Sequence, residues 1–131
     1  MDKSRFNEMV KSKLGVYVYA LLDPRIKTAI RERVFYVGKG TGNRAFNHAK
    51  LEKEATDGPL DPSEHKLRII REIREDGFEV EILIVKHGLD DDQALQLESV
   101  LIPILGSANK VAGHEGDSAW LGVNRIRELY D

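Results

Sequence analysis

Two hydrophobic periods alternate along this chain, and together they lay out its elements. Residues 15–22 (Gly-Val-Tyr-Val-Tyr-Ala-Leu-Leu) and 33–38 (Arg-Val-Phe-Tyr-Val-Gly) are dense in β-branched and aromatic side chains and read as strands. Asp23-Pro24 stops the first, and the charged stretch 25–32 reads as a long loop, so 15–38 is expected to be an antiparallel hairpin. Phe78, Val80, Ile82 and Ile84 alternate with Glu79 and Glu81, which predicts a third strand over 78–85. Elsewhere the spacing is helical. Phe6, Met9 and Val10 mark a short amphipathic helix over 3–13. Ala45, Phe46 and Ala49 mark a helix over 42–54, with Asn43 as a candidate cap. Leu67, Ile70 and Ile73 mark a helix that begins at Pro62-Ser63 and stops at Gly77. A fourth helix, over 91–105, is capped by Asp90 to Asp92 and ended by Gly106. A glycine-rich loop over 107–118 and a closing helix over 122–130 complete the chain. This order predicts an α/β fold, a small three-stranded antiparallel sheet flanked by helices.

A length of 131 residues suits one domain, residues 1–131, with a single modest core. The composition, 41% hydrophobic and 32% charged, is that of a soluble globular protein. No apolar run approaches the ~20 residues of a membrane span, and Met1-Asp2-Lys3-Ser4-Arg5 is not a secretory signal. The absence of cysteine excludes a disulfide framework, a thiolate zinc site and a cysteine nucleophile, and fits a cytoplasmic protein. A net charge of −2 argues against avid, non-specific coating of DNA but leaves room for a local basic patch.

Candidate chemistry begins at Glu98. At 100° per residue its neighbours in direction are Ala94, Leu95, Leu101, Ile102 and Leu105, so one carboxylate stands in the middle of an apolar stripe. A buried charge needs compensation: a salt bridge to an arginine at the core edge, a metal ion, or a cleft that handles phosphate. Gly38-Lys39-Gly40-Thr41-Gly42 follows a strand and opens a helix, where backbone N–H groups could meet a phosphate. Its spacing fits neither the P-loop nor the dinucleotide fingerprint. Arg44 and His48 stand four residues apart on one helical face, the first suited to phosphate oxygens and the second to a phosphate or a proton. Tyr17 and Tyr19 share a strand face and Tyr36 comes from the partner strand; nearby Lys39 and Arg44 are expected to favour a phenolate. Aromatic packing would account for at least one of the three. Lys66, Arg68, Arg71 and Arg74 read mainly as a solvated helix face with a minor role toward a nucleic-acid backbone. His65, His87 and His114 lack ligand spacing.

Taken in order, Gly15-Val16-Tyr17, Tyr36-Val37-Gly38, Gly42-Asn43-Arg44, His48, Glu98 and Asn109 resemble the GIY-YIG nuclease superfamily. The wording Tyr19-Ala20-Leu21-Leu22-Asp23-Pro24 and Phe35-Tyr36-Val37-Gly38-Lys39-Gly40 is most similar to the branch of animal ankyrin-repeat nucleases and their bacterial and phage relatives. The resemblance covers about residues 15–113. It implies a metal-dependent endonuclease, a hydrolase of DNA phosphodiester bonds that uses one divalent cation, Mg²⁺ or Mn²⁺. Tyr17 or Tyr19 would activate water and Tyr36 would orient it. Lys39 would hold the first phenolate or a phosphate oxygen. Arg44 would stabilise charge on the phosphoryl group, and His48 would assist at the phosphate or nucleophile. Glu98 would bind the metal and Asn109 would complete the site. Gly15-Val16-Tyr17 matches by letters, whereas Tyr19 lies at the more usual distance before the turn, so both stay in play. The acidity of the chain would suit a structure-selective enzyme on branched or flapped DNA, or one helped by a protein partner. The alternative is a non-catalytic nucleic-acid-binding module of the same fold; a nucleotide-phosphate-binding accessory protein is a third class.

Overall fold

Strand β1 (Val16–Leu22) is the middle strand of the sheet, and every residue after Val16 is buried. A computed structural model of the chain describes residues 5–55 and 65–105. The start of the second long helix at Pro62-Ser63, Gly106, the 107–118 loop with Asn109 and His114, and the 122–130 helix lie outside the described residues. β1 pairs antiparallel with β2 (Val34–Gly40) on one side and with β3 (Glu81–Leu89) on the other, giving the order β2-β1-β3. The helices are α1 (Glu8–Leu14), α2 (Ile30–Arg33), α3 (Asn47–Glu54), α4 (His65–Glu75) and α5 (Asp91–Leu105), with a 3-10 turn at Arg44–Phe46. The expected α/β class, a three-stranded antiparallel sheet flanked by helices, is the one observed.

A strand covered on both faces reads as a continuous apolar run, and its period of two then sorts its side chains. Tyr17, Tyr19 and Leu21 pack with Ala45 and with Leu67, Ile70 and Ile73 of α4. Val18, Ala20 and Leu22 pack with Val34, Val37 and, from α5, Ala94 and Ile102. The tyrosines of β1 therefore all face α4, and α5 lies on the opposite side, packed chiefly along β2. The N-terminus of α5 closes a reciprocal cap: Gln93 N–H donates to Asp90 Oδ1 at 2.7 Å and Asp90 N–H donates to Gln93 Oε1 at 3.0 Å.

Several boundaries differ from expectation, each for a local reason. The third strand begins at Glu81, not Phe78, because α4 ends in a Schellman turn. Phe78 N–H donates to the Ile73 carbonyl and Gly77 N–H to that of Arg74, with Gly77 at φ +86°, so Phe78 belongs to the helix cap. The first helix begins at Glu8 behind an Asn7 cap, and its buried residue is Leu14, while Met9 is exposed. Phe6 precedes that helix and packs against Phe46 (4.8 Å between ring centroids) and Tyr17 (6.3 Å). Asn43 caps no helix; its Oδ1 accepts from Phe6 N–H at 2.7 Å. The loop over 25–32 contains the start of α2. On α5, Ala94, Glu98 and Ile102 form the buried stripe, while Leu95 is exposed.

Arg71 and Arg74 are not a solvated face. They clasp Glu52 of α3, whose side chain is 1% exposed: Arg71 Nε donates at 3.0 Å, and Arg74 donates from Nε at 2.8 Å and from a terminal nitrogen at 3.0 Å. Hydrogen bonds from Arg74, then from Arg71, hold the Glu52 carboxyl below the usual carboxylate range against the opposing effect of burial. This clamp ties α3 to α4. Replacing Glu52 by Ala strands two guanidinium groups and is expected to lower the unfolding free energy by about 3 kcal/mol in urea titrations. Lys50→Ala, which removes only the exposed 3.9 Å pair with Glu54, should change it by less than about 0.5 kcal/mol.

Candidate active site

The site is built on the hairpin register. Tyr19 faces Gly38 and Tyr17 faces Gly40 across β1 and β2. A Cβ on Gly38 would stand 2.8 Å from Cζ and Oη of Tyr19 and 2.9 Å from Cε2 of Tyr36, so the two phenol rings lie over a residue that must lack a side chain. A Cβ on Gly40 would collide with Cβ and Cγ of Arg44, whose stem crosses that position. Both glycines are thus strand residues that make room for site side chains. The glycines of the expected phosphate-cradling turn thus have a packing role. Three backbone donors after it are engaged within the fold: Arg44 N–H by the Thr41 carbonyl, Ala45 N–H by the Tyr17 phenol, Phe46 N–H by the Asn43 carbonyl.

Tyr19, Tyr36 and His48 form one cluster. Tyr19 Oη and His48 Nε2 share a 2.8 Å hydrogen bond in a buried setting. His48 packs against the Tyr36 ring at 4.7 Å between centroids, and the two phenol rings are 6.1 Å apart. Arg44 acts by charge on Tyr17, Tyr19, Tyr36 and His48, and also hydrogen-bonds Tyr19. Glu98, 6% exposed on α5, lies near enough to β2 for its charge to act on the Tyr36 phenol. Tyr19, Tyr36, Arg44, His48 and Glu98 are therefore brought together.

The phenols are pushed up, not down, which reverses the expectation of a readily formed phenolate. Burial is the largest cause for each. At Tyr19 the neighbouring Tyr36 adds to it and Arg44 opposes it. At Tyr36 the Glu98 charge adds to it. His48 moves the other way. Burial first, then the charges of Lys66 and Arg44, press its imidazole down to about 4. At neutral pH the ring is uncharged, and it can take a proton at Nε2. Its Nδ1 is buried without a hydrogen-bond partner among the described residues.

The other sequence candidates are placed differently. Tyr17, 0% exposed, donates from its hydroxyl to the Gly42 carbonyl at 2.8 Å and accepts from Ala45 N–H at 3.0 Å, so it ties the turn to β1. Lys39 lies opposite Val18, on the α5 side of the sheet and not with the β1 tyrosines. Asn109 lies outside the described residues. Lys66, grouped by sequence with a solvated face, stands with its Nζ 5.2 Å from the Tyr36 ring centroid. Three-residue helical steps from Leu67 and Ile70 place Lys66 beside the apolar stripe, but only the packing of α4 on the tyrosine face shows what it meets. Among the described residues no group of three or more His, Cys, Asp or Glu side chains is arranged to hold a metal. No helix among them is long and apolar enough to cross a membrane.

The model of the LEM-3-like GIY-YIG domain matches residues 16–121. The chain belongs to this family. A GIY-YIG domain is of nuclease type, which agrees with phenol, imidazole, guanidinium and carboxylate groups gathered at one edge of the sheet. The chain is also 30% identical over 129 residues to the ankyrin repeat and LEM domain-containing protein 1 homolog of Caenorhabditis elegans, a match over 85% of this chain and 18% of that protein. The chain thus spans under a fifth of that relative's length. No solved structure matches the chain.

Burial of His48 gives this GIY-YIG domain a specific pH response. The unfolded imidazole titrates near 6.5 and the folded one at about 4, so between those values the unfolded chain binds more protons. Stability from this group is complete above about pH 6.5 and is lost as pH falls toward 4, with a slope approaching about 1.4 kcal/mol per pH unit. Unfolding titrations between pH 7 and 5 should show the decline in the wild type and a flatter profile in His48→Asn; an imidazole NMR signal titrating at the ordinary value would contradict it.

Proposed function

We propose that this domain is a metal-dependent endonuclease that hydrolyses DNA phosphodiester bonds, with Tyr19 as the water-activating phenol. The observation that supports this most is the Tyr19–His48 hydrogen bond of 2.8 Å, with His48 held neutral. A phenol with a high pKa is a poor base by itself. Coupled to a neutral imidazole whose Nε2 accepts its hydrogen bond, it can receive the proton of an attacking water while its own proton passes to Nε2. The water oxygen then bonds to phosphorus and the bond to the leaving oxygen breaks. Arg44, exposed and permanently charged, is suited to the phosphoryl oxygens, where charge grows. Tyr36 fixes the positions of Tyr19 and His48. Tyr17, with both hydroxyl functions engaged, is assigned to holding the turn that carries Arg44.

The residues fit a divalent cation of the Mg²⁺ or Mn²⁺ kind. Glu98 is a hard oxygen donor set among apolar side chains beside the phenol cluster. A single carboxylate suits an ion that keeps several of its waters, and Asn109 is assigned to completing the site, as the family resemblance implies. When bound, such an ion supplies Lewis-acid stabilisation of charge at the scissile phosphate. Branched or flapped DNA, a protein partner and a cytoplasmic location belong to the same proposal. A non-catalytic nucleic-acid-binding module is the second reading, favoured by the three phenols that burial keeps protonated.

Incubation with supercoiled plasmid, branched DNA and RNA, with Mg²⁺, Mn²⁺ or EDTA, tests both. The expected result is metal-dependent cutting of DNA, reduced about 10²-fold or more in Tyr19→Phe, Arg44→Ala and Glu98→Ala. Binding without cutting on every substrate would establish the module instead. Tyr17→Phe is expected to act mainly on stability, lowering it by about 1–3 kcal/mol through the stranded Ala45 donor, and to reduce turnover less than Tyr19→Phe.

A further inference from the structure

Several cations of the described surface are matched to carboxylates. Lys11 meets Glu8, Arg25 meets Asp23 and Asp76, Arg33 meets Glu81, and Arg71 and Arg74 meet Glu52. Lys66 is not among them, nor is Lys27, whose Nζ stands 5.6 Å from the Phe78 ring centroid; Lys66 differs in standing over a ring of the candidate site. It is half-buried at the start of α4, and among the described residues no carboxylate pairs with it. Its Nζ stands 5.2 Å from the Tyr36 ring centroid, and the same ring is 4.7 Å from that of His48. Arg44 approaches the same pair from the turn after β2. Two cations on separate elements therefore converge on the Tyr36–His48 pair. A ring face orients an ammonium without neutralising it, so the net positive charge remains available to an anion.

We propose that Lys66 is a second phosphate-binding residue of this site, holding the backbone phosphate adjacent to the one that Arg44 engages. The substrate class that follows is a polynucleotide strand with at least two neighbouring phosphates, not a mononucleotide or phosphomonoester. This rests on the nuclease reading above and adds the binding register to it. One cation suffices for one phosphate. A second, set apart on α4, matches a repeating anion.

The test is the salt dependence of DNA binding by the full chain in EDTA, using labelled duplex and single-stranded oligonucleotides, with Lys66→Gln, Lys66→Met, Lys66→Arg and, as an exposed neighbour on the same helix, Arg68→Gln. Each phosphate contact contributes about 0.9 to the slope of log K against log salt on duplex and about 0.7 on single strands. Lys66→Gln and Lys66→Met are expected to lower the slope by about that amount on every sequence. Lys66→Arg should restore the slope, and Arg68→Gln should leave it unchanged. In cleavage assays the loss should fall on KM more than on kcat. A merely packing role would shift the thermal midpoint and leave the slope alone, and an unchanged slope in folded Lys66→Gln or Lys66→Met overturns the proposal. Cutting by the wild type with an unchanged slope in these variants overturns this inference alone. A lowered slope in a protein that never cuts supports it and overturns the hydrolytic reading. A wild type that neither binds nor cuts overturns both.

Discussion

Covering both faces of one seven-residue strand is the constraint on which this molecule depends. Because side chains alternate, β1 sends its phenols to one side and its small aliphatic groups to the other. α4 seals the phenol side and α5 the aliphatic side. Neither helix could move without exposing a core, so the distance between the Tyr19 phenol and anything borne on α5 is set by the thickness of the sheet and by β2. Glu98 acts on Tyr36 because β2 is an edge strand that α5 packs along. The glycines of β2 complete the arrangement by leaving room for two rings and an arginine stem.

Electrostatics in the cluster is governed by burial. A single arginine is close to all three phenols and lowers each, yet desolvation outweighs it every time. The same desolvation keeps His48 neutral, helped by Lys66 and Arg44. Acid and base roles are separated by one physical cause: exclusion of water raises the weak acid and lowers the weak base. The hydrogen bond between Tyr19 and His48 is where the two displaced groups meet. That combination sets Lys66 and Arg44 beside buried phenols and a neutral imidazole in a chain whose net charge is −2.

The buried carboxylates among the described residues divide into two classes. Asp23 and Glu52 are buried and clasped by arginines that hold them ionised, and they brace the fold. Asp23 joins the hairpin loop, through Arg25, to Asp76 at the end of α4, and Glu52 joins α3 to α4. Glu98 is buried in an apolar stripe and acts on a phenol of the cluster.

Much was legible in the sequence because period and punctuation are local. The β-branched and aromatic runs at 15–22 and 33–38, the Asp23-Pro24 stop, the Asp90 cap and the Leu67-Ile70-Ile73 stripe each depend on a few adjacent residues, and the tyrosine, arginine, histidine and glutamate motifs stand in order along the chain. What tertiary structure alone decided was partnership across elements. Tyr17 and Tyr19 are indistinguishable by period, and only the turn after β2 and the approach of α3 give one a tether and the other an imidazole. Lys66 and Arg74 look alike on a helical wheel, yet packing turns one to a phenol ring and the other to a buried carboxylate. The direction of the phenol pKa values followed the same rule. Charges can be counted from a sequence, but the exclusion of water that outweighs them exists only once the sheet is covered.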